Sequence, residues 1–309
     1  MGGATATGKT GLAIRLALAI GPELGRPVEI VSADSRQVYR GLDIGTAKAT
    51  REERAGIVHH GLDLVDPDEP FSVADFVTHA GAVLADLAAR GGIAILAGGT
   101  GLYLRAVTRR LDPRTLPSDP VLRARLRGEL AADGLPAAVE RLRVLAPTAA
   151  ARIDLANPRR VERALEIATL RGDAPLPSPG RYAGPLLLLG LAVEPATLRD
   201  RIATRARQQF AAGLAEEAAE LRRRFDPSLP AFSAIGYREA WAVLDGTLTR
   251  EAAIDLDAAR NVAFARRQRT WFRSEPGITW LDATGGDPTD AALELARPFL
   301  APAFDQPGR

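Results

Sequence analysis

The sequence predicts an α/β protein, a parallel sheet with helices on both faces and a helical insertion. Three observations carry that expectation. Gly3-Ala4-Thr5-Ala6-Thr7-Gly8-Lys9-Thr10 satisfies the phosphate-loop pattern G-x-x-x-x-G-K-[ST]. Strand-like and helix-like segments alternate over residues 1–112, which implies a parallel sheet covered on both faces. From about 113 to 182 the pattern turns wholly helical, and an apolar run then returns to the sheet. The expected layout is a P-loop NTPase-like core at 1–112 and 183–309, interrupted by a helical insertion at 113–182.

A phosphate loop turns from a buried strand into a helix. The helix is legible, because Leu12, Leu16 and Ile20 form an apolar stripe. The strand is not, since only Met1 and Gly2 precede the motif. A sheet lacking a central strand leaves backbone groups unpaired on both neighbours. The first strand is therefore expected to be missing, with the chain starting downstream of its true beginning. Val28-Glu29-Ile30-Val31-Ser32 reads as a short buried strand, and Leu62-Asp63-Leu64-Val65 as another. Ser72 to Ala89 reads as a helix with Ser72 as N-cap and Asp75 three residues on. Ile93-Ala94-Ile95-Leu96-Ala97 is a buried strand ending in Gly98-Gly99-Thr100-Gly101, a turn into the next helix.

Asp119-Pro120 and Asn157-Pro158 each place proline in the first turn of a helix, the second running to about Arg171. Pro175, Pro177 and Pro179 suggest a stiff loop, and Leu186 to Val193 a core strand. Helices are expected over Pro195–Phe225, Gly236–Leu244 and Thr249–Arg273, then a short strand around Thr279-Trp280-Leu281 and a last helix.

Composition narrows the class. The 309 residues are 46% hydrophobic and 25% charged, ordinary for a soluble globular protein. No run approaches the roughly 18 apolar residues of a membrane span. The absence of cysteine excludes disulfides, thiol chemistry and thiolate metal sites. With a phosphate loop, this points to a cytoplasmic enzyme. Of 40 basic residues only Lys9 and Lys48 are lysines. In a chain that otherwise uses arginine, Lys9 stands where a compact ammonium must reach phosphate oxygens and a guanidinium fork does not fit. Lys48 reads either as a second phosphate-facing cation or as a surface lysine.

The phosphate loop offers backbone N–H groups and Lys9 to phosphates, and the Thr10 hydroxyl to Mg²⁺. Asp34 follows a strand in Ser32-Ala33-Asp34-Ser35-Arg36-Gln37-Val38-Tyr39-Arg40. It could hold Mg²⁺, accept a proton from an acceptor substrate, or cap the following turn. Gly98-Gly99-Thr100-Gly101 reads as a close-approach loop or a plain strand-to-helix turn. Arg159, Arg160 and Arg163 open one helix; Arg266, Arg267, Arg269 and Arg273 surround Trp271 and Phe272 on another. Such clusters suit phosphate backbones and unstacked bases, and equally a solvated face. His59, His60 and His79 lack metal-ligand spacing and read as structural.

Together these motifs resemble the tRNA dimethylallyltransferase family. The family's phosphate loop reads G-P-T-A-S-G-K-T, against Gly-Ala-Thr-Ala-Thr-Gly-Lys-Thr from Gly3. Asp34 through Lys48, Gly98 through Tyr103, Asn157 through Glu166, Ile235 through Glu239 and Arg266 through Arg273 resemble its further signatures. No cysteine-rich zinc finger is present, as in the bacterial form. The resemblance implies transfer of the dimethylallyl group from dimethylallyl diphosphate to N6 of adenosine 37 in tRNA. It implies Asp34 as the base and Thr100 beside the amine. It also implies Gly3, Ala4, Thr5, Ala6, Thr7, Gly8, Lys9, Thr10 and Arg205 on the diphosphate, with Mg²⁺ at Thr10. It places Asp34, Ser35, Arg36, Gln37, Arg123, Arg159, Arg160, Val161, Glu162 and Arg163 on the tRNA anticodon stem-loop. Ser233, Ala234, Ile235, Gly236, Tyr237 and Arg238 join them, with Arg266, Arg267, Gln268, Arg269, Thr270, Trp271, Phe272 and Arg273. Adenosine 37 must leave its stack to react. A monomer is expected. Two rivals are a small-molecule kinase with ATP in the phosphate loop and a nucleic-acid binder without catalysis.

Overall fold

A computed structural model of the chain describes residues 1–109, 111, 115–174, 180 and 182–304. Its elements run β1 Gly2–Gly3, α1 Lys9–Leu24, β2 Val28–Ser32, α2 Arg51–Arg54, β3 His59–His60, α3 Val73–Ala89, β4 Ile93–Ala97 and α4 Gly101–Thr108. Next come α5 Pro120–Leu145, α6 Pro147–Ala150, α7 Pro158–Arg171, β5 Leu189–Ala192, α8 Pro195–Ala211 and α9 Leu214–Arg224. A short 3₁₀ turn at Pro230–Ser233 precedes α10 Tyr237–Leu244, α11 Arg250–Arg273, β6 Thr279–Asp282 and α12 Thr289–Phe304. The chain forms two compact units, Met1–Thr108 with Tyr182–Arg309, and Arg109–Arg181. The expected boundary at 112–113, and Pro175, Pro177 and Pro179, lie outside the described residues.

In the first unit every strand pairing is parallel. The strands form the arrays β3-β2-β4 and β1-β5-β6, joined where Gly2 bridges Gly98. The stripe Leu12, Leu16 and Ile20 packs α1 onto Val28, Ile30, Leu189, Leu191 and Leu281. Each such buried side chain contributes about 1.5–3 kcal/mol.

The expectation of a missing first strand is corrected in part. Gly2 and Gly3 pair in register with Gly190 and Leu191, and Gly98 N donates to Met1 O at 3.2 Å. Gly2 therefore pairs with both neighbours, and Gly3 with β5 alone. Glycine suits this place, because a side chain at Gly2 would collide with the Phe272 ring. Beyond Met1 lies an apolar cavity of about 380 Å³, walled by Ile93, Ile95, Leu187, Leu189, Leu16 and Leu300. It opens between β4 and β5. The Met1 amino group is held at its end, 2.6 Å from Leu96 O, and burial pushes its pKa down to about 5.

The edge strand also differs from expectation. It is His59–His60, paired with Ile30 and Val31, and not Leu62–Val65. Asp63 adopts a left-handed conformation with φ 54, which breaks an extended run there. His60 Nε2 meets Glu29 Oε2 at 2.6 Å, whereas His59 lines the cavity that also holds Lys9 and Asp34. Leu186–Val193 contributes only its four residues 189–192 to the sheet. Pro195–Phe225 divides at Gly213, φ 103, into α8 and α9.

Among the described residues of the second unit there are helices and no strand. Asp119 caps α5 through Val121 N and Leu122 N, and Asn157 caps α7 through Arg159 N and Arg160 N. Gly134, φ 80, kinks α5, so its two halves fold back around Leu126, Leu142, Val161 and Leu165.

Candidate active site

The sequence Gly3 to Thr10 wraps the C-terminal end of β1 and opens α1. Gly8 takes φ 88 at the N-cap of α1, a conformation that favours glycine. Thr7 Oγ1 donates to Ala4 O at 2.9 Å and Lys9 Nζ donates to the same oxygen at 2.6 Å. A cavity of about 250 Å³ lies over this loop, and Lys9, Thr10, Asp34, Arg205, Phe264 and Gln268 all line it. Burial pushes the Lys9 ammonium down to about 8, with Asp34 opposing and Arg205 adding to the shift. Burial also lowers Arg205, against the pull of Asp257 and Asp34. Two desolvated cations on one small cavity form a site for an anion.

The walls come from different strands and helices. Asp34 follows β2, and its Oδ1 accepts from Arg36 N at 2.8 Å. One carboxylate oxygen thus fixes the local turn, as a cap would, while the residue lines the cavity. Thr100 follows β4 and lies beside the cavity. Its Oγ1 accepts from Ser35 N at 3.0 Å and stands 3.3 Å from Ser35 Oγ, which ties the two loops together next to Asp34. Gly98 lets these loops touch, since a Cβ there would run into Ala33 O. Gln37 also lines the cavity, but its amide is committed, accepting from Ser32 Oγ and donating to Thr46 O. Arg36 donates to Pro230 O at 2.9 Å.

Lys48 does not serve the phosphate loop. Its buried Nζ donates to Tyr39 O, Asp43 Oδ1 and Asp63 Oδ1 at 2.6, 2.7 and 2.5 Å. It ties the 34–48 segment to itself and to Asp63. Among the described residues no group of His, Cys, Asp or Glu could by itself hold a metal ion.

A family model described as IPP transferase matches residues 37–275. The chain is 45% identical to the tRNA dimethylallyltransferase of Salinispora tropica, over 96% of this chain and 91% of that protein. It is 47% identical to the tRNA dimethylallyltransferase of Anaeromyxobacter dehalogenans, over 90% of this chain and 92% of that protein. The chain belongs to the tRNA dimethylallyltransferase family. The full-length tRNA isopentenylpyrophosphate transferase of Bacillus halodurans superposes with a TM-score of 0.70 at 38% identity, covering 98% and 95% of the two chains. A eukaryotic dimethylallyltransferase acting on tRNA shares the fold at a TM-score of 0.75 and 22% identity, over 99% of this chain and 79% of that one.

For a tRNA dimethylallyltransferase, the residues expected on tRNA divide sharply by burial. Arg159, Arg160, Arg238, Arg266, Arg267, Thr270 and Arg273 are exposed and Arg269 is half-buried. The others are buried or engaged by partners within the protein. Val161 is core, and Glu162 pairs with Arg127 at 3.1 Å. Arg163 and Arg123 converge on Glu166, at 2.6 and 3.1 Å. Ala234, Gly236 and Tyr237 are buried and Ile235 is half-buried, and Ser233 Oγ donates to Pro230 O. Phe272 is core against Gly2. Trp271 lies edge-on to Phe272 with the Arg105 guanidinium 4.3 Å from its ring. The aromatics expected to stack on bases are thus a core side chain and one already capped by arginine. Gln268 is buried and bonded at both ends within the protein.

The structure adds residues that the sequence did not single out. Glu217 accepts from Ile44 N, Gly45 N and Tyr237 Oη at 2.8, 3.2 and 2.7 Å, pinning the 34–48 segment to α9 and α10. Burial raises its pKa. Asn261 accepts from Arg205 Nη2 at 3.2 Å and donates to Asp257 Oδ1 at 2.8 Å. Burial, with Glu239 nearby, pushes Asp257 up to about 6. On an arginine-rich helix each of these reads as an ordinary surface polar residue. No signal in a single sequence separates them from one.

Proposed function

We propose that this chain transfers a dimethylallyl group from dimethylallyl diphosphate to N6 of adenosine 37 in tRNA. One observation supports the reading most. The phosphate loop, Asp34 and Arg205 converge on a single cavity in a chain of this family. The diphosphate sits on the loop N–H groups and Lys9, with Arg205 on its far side. Positive groups fixed there before reaction stabilise the charge that grows on the leaving diphosphate. The C1–O bond to diphosphate breaks, the bond from N6 to C1 forms, and the N6 proton passes to the Asp34 carboxylate. Thr100, held against Ser35, orients the amine. The base leaves its stack to enter.

Mg²⁺ fits the residues present as a diphosphate-bound ion. Thr10 is exposed and lines the cavity, and this cation commonly takes one or two protein ligands plus waters and phosphate oxygens. Thr10 would hold it, and it would supply further neutralisation of diphosphate charge. The tRNA meets Arg159, Arg160, Arg238, Arg266, Arg267 and Arg273 through its anticodon stem-loop. The chain works as a monomer in the cytoplasm. No helix among the described residues is long and apolar enough to cross a membrane.

The test is incubation with dimethylallyl diphosphate, Mg²⁺ and tRNA, reading the mass of adenosine 37 after digestion. One dimethylallyl group on that nucleoside is the expected product. Transfer of phosphate from ATP to a small acceptor, with tRNA left unmodified, would replace this reading by the kinase.

A further inference from the structure

Gln268 lies on the inner side of α11 with both ends of its amide engaged. Oε1 accepts from Thr5 N at 2.8 Å. Nε2 donates to Gly99 O at 2.9 Å. The first partner belongs to the phosphate loop and the second to the turn that carries Thr100. These loops leave different strands, β1 and β4, which meet at the bridge from Gly2 to Gly98 and where the Met1 amino group donates to Leu96 O. The amide orientation is dictated by its partners, because an N–H needs an acceptor and a carbonyl needs a donor. Glutamine offers both at one side-chain length; glutamate and methionine do not. The turn is shaped for it, since a Cβ at Gly99 would collide with Nε2.

We infer that Gln268 is a positioning residue that sets the spacing between the two substrates. It ties the loop that takes the diphosphate to the turn that orients the acceptor amine. The inference rests on the placement of substrates proposed above. Transfer needs C1 and N6 about 3–3.5 Å apart, and a misplacement of about 1 Å can cost roughly 100-fold in rate. When the amine stands off, C1 can still lose diphosphate. Water then bonds to C1, its proton goes to solvent, and the product is dimethylallyl alcohol. Loosening the clamp therefore diverts the group from amine to water.

The test uses Gln268→Glu and Gln268→Met in the full chain. Glutamate keeps an acceptor for Thr5 N but sets an oxygen against Gly99 O. Methionine keeps the volume and bonds to neither loop. The readout is the ratio of dimethylallyl alcohol to dimethylallyl-tRNA formed in one reaction, with binding of each substrate measured separately. The ratio is expected to rise about 5-fold or more in both variants, with each affinity within about 3-fold of the parent, because spacing and not occupancy is lost. Misfolding removes both products together and gives no ratio, so either variant that retains activity suffices. An unchanged ratio in an active variant overturns the inference, whatever happens to the rate. The underlying placement is tested apart from it. If Lys9→Ala binds dimethylallyl diphosphate as tightly as the parent, the diphosphate is not in the phosphate loop, and that reading fails on its own.

Discussion

Arg205 donates to Asn261 Oδ1 across 3.2 Å, and through Asn261 the guanidinium is coupled to the buried carboxylate of Asp257. A cation aimed at a phosphate site thus has its position fixed from behind by a neutral amide. Its counter-charge stays one residue removed. A direct ion pair would partly neutralise the charge that the diphosphate needs. The cost falls on Asp257, which burial holds above the usual carboxylate range, at about 6.

That cost is measurable as stability. The unfolded chain releases the Asp257 proton near 3.8, whereas the folded chain keeps it to about 6. A carboxylate raised in this way stabilises the fold fully below pH 3.8, and the contribution is lost as pH rises through about 6. Asp257→Asn should remove this loss, which is on the order of 3 kcal/mol. Thermal melts should show the variant gaining on the parent as pH rises from about 4 to 7. Parallel melting curves across that range would contradict the assignment.

Lys9 titrates in the opposite sense. Its folded value lies near 8, against 10.5 for a free lysine, so between these limits the folded chain has lost a proton that the unfolded chain keeps. Stability should rise with pH there, while binding should suffer. Since the ammonium is present below about pH 8, kcat/KM for dimethylallyl diphosphate should fall about tenfold per pH unit above it. The kcat limb should lie at higher pH, because bound diphosphate favours the charged form. Lys9→Arg should lower kcat/KM and abolish the alkaline limb. A limb that persists in that variant belongs to another group.

The slot between β4 and β5 leads to a prediction about the sheet. Adding five or six apolar residues upstream of Met1, the usual length of a strand, should fill the cavity of about 380 Å³ and pair both edges. The melting temperature should rise by at least several degrees. An added polar segment of equal length should not reproduce the gain. Equal melting of the apolar extension and the parent would show that the slot takes no strand.

What the sequence revealed follows from where its information is local. The phosphate loop, the Ser72 cap with Asp75 and the two Asx-Pro helix starts are written in neighbouring residues, and each formed where expected. Lys48 could not be placed, because Asp63, one of its partners, is fifteen residues away and inside the Leu62–Val65 segment expected as a strand. Gln268 shows the harder case. Its partners lie 263 and 169 residues away, and its neighbours in sequence are arginines, so a linear reading assigns it to the surface. Tyr237 and Phe272 fail for the same reason. A motif marks a segment as functional without saying which of its side chains face the ligand and which hold the segment in place.

Burial sorts the arginines of α7 into two kinds with different expected effects. Arg159 and Arg160 are exposed at the start of the helix, whereas Arg163 is bound to Glu166 and Pro117 O. Arg159→Gln and Arg160→Gln should each weaken tRNA binding and reduce the slope of log affinity against log salt by about 1. Arg163→Gln should leave the slope unchanged and lower the melting temperature, because it strips a partner from the fully buried Glu166. Filter binding at several salt concentrations, with melts of the same samples, separates the two. An equal slope change for all three would mean that Arg163 leaves its internal partners when tRNA binds.

Asp34 carries the sharpest prediction, because three roles meet on one residue. One oxygen accepts from Arg36 N, and the residue lines the cavity with Lys9, Thr10 and Arg205. As general base it should be indispensable to turnover and not to binding. Asp34→Ala should lower kcat by about 10²- to 10⁴-fold, with affinities for tRNA and dimethylallyl diphosphate little changed. Were its main task to hold Mg²⁺, diphosphate binding should weaken and extra Mg²⁺ should partly restore it. Were it only a cap, stability should fall by about 1 kcal/mol with turnover per folded molecule intact. Asp34→Asn sharpens the contrast, since an amide oxygen can still accept from Arg36 N but cannot take the proton. It should melt like the parent and turn over like Asp34→Ala. Near-normal turnover in a folded Asp34→Asn protein would remove Asp34 as the base and leave the diphosphate site as described.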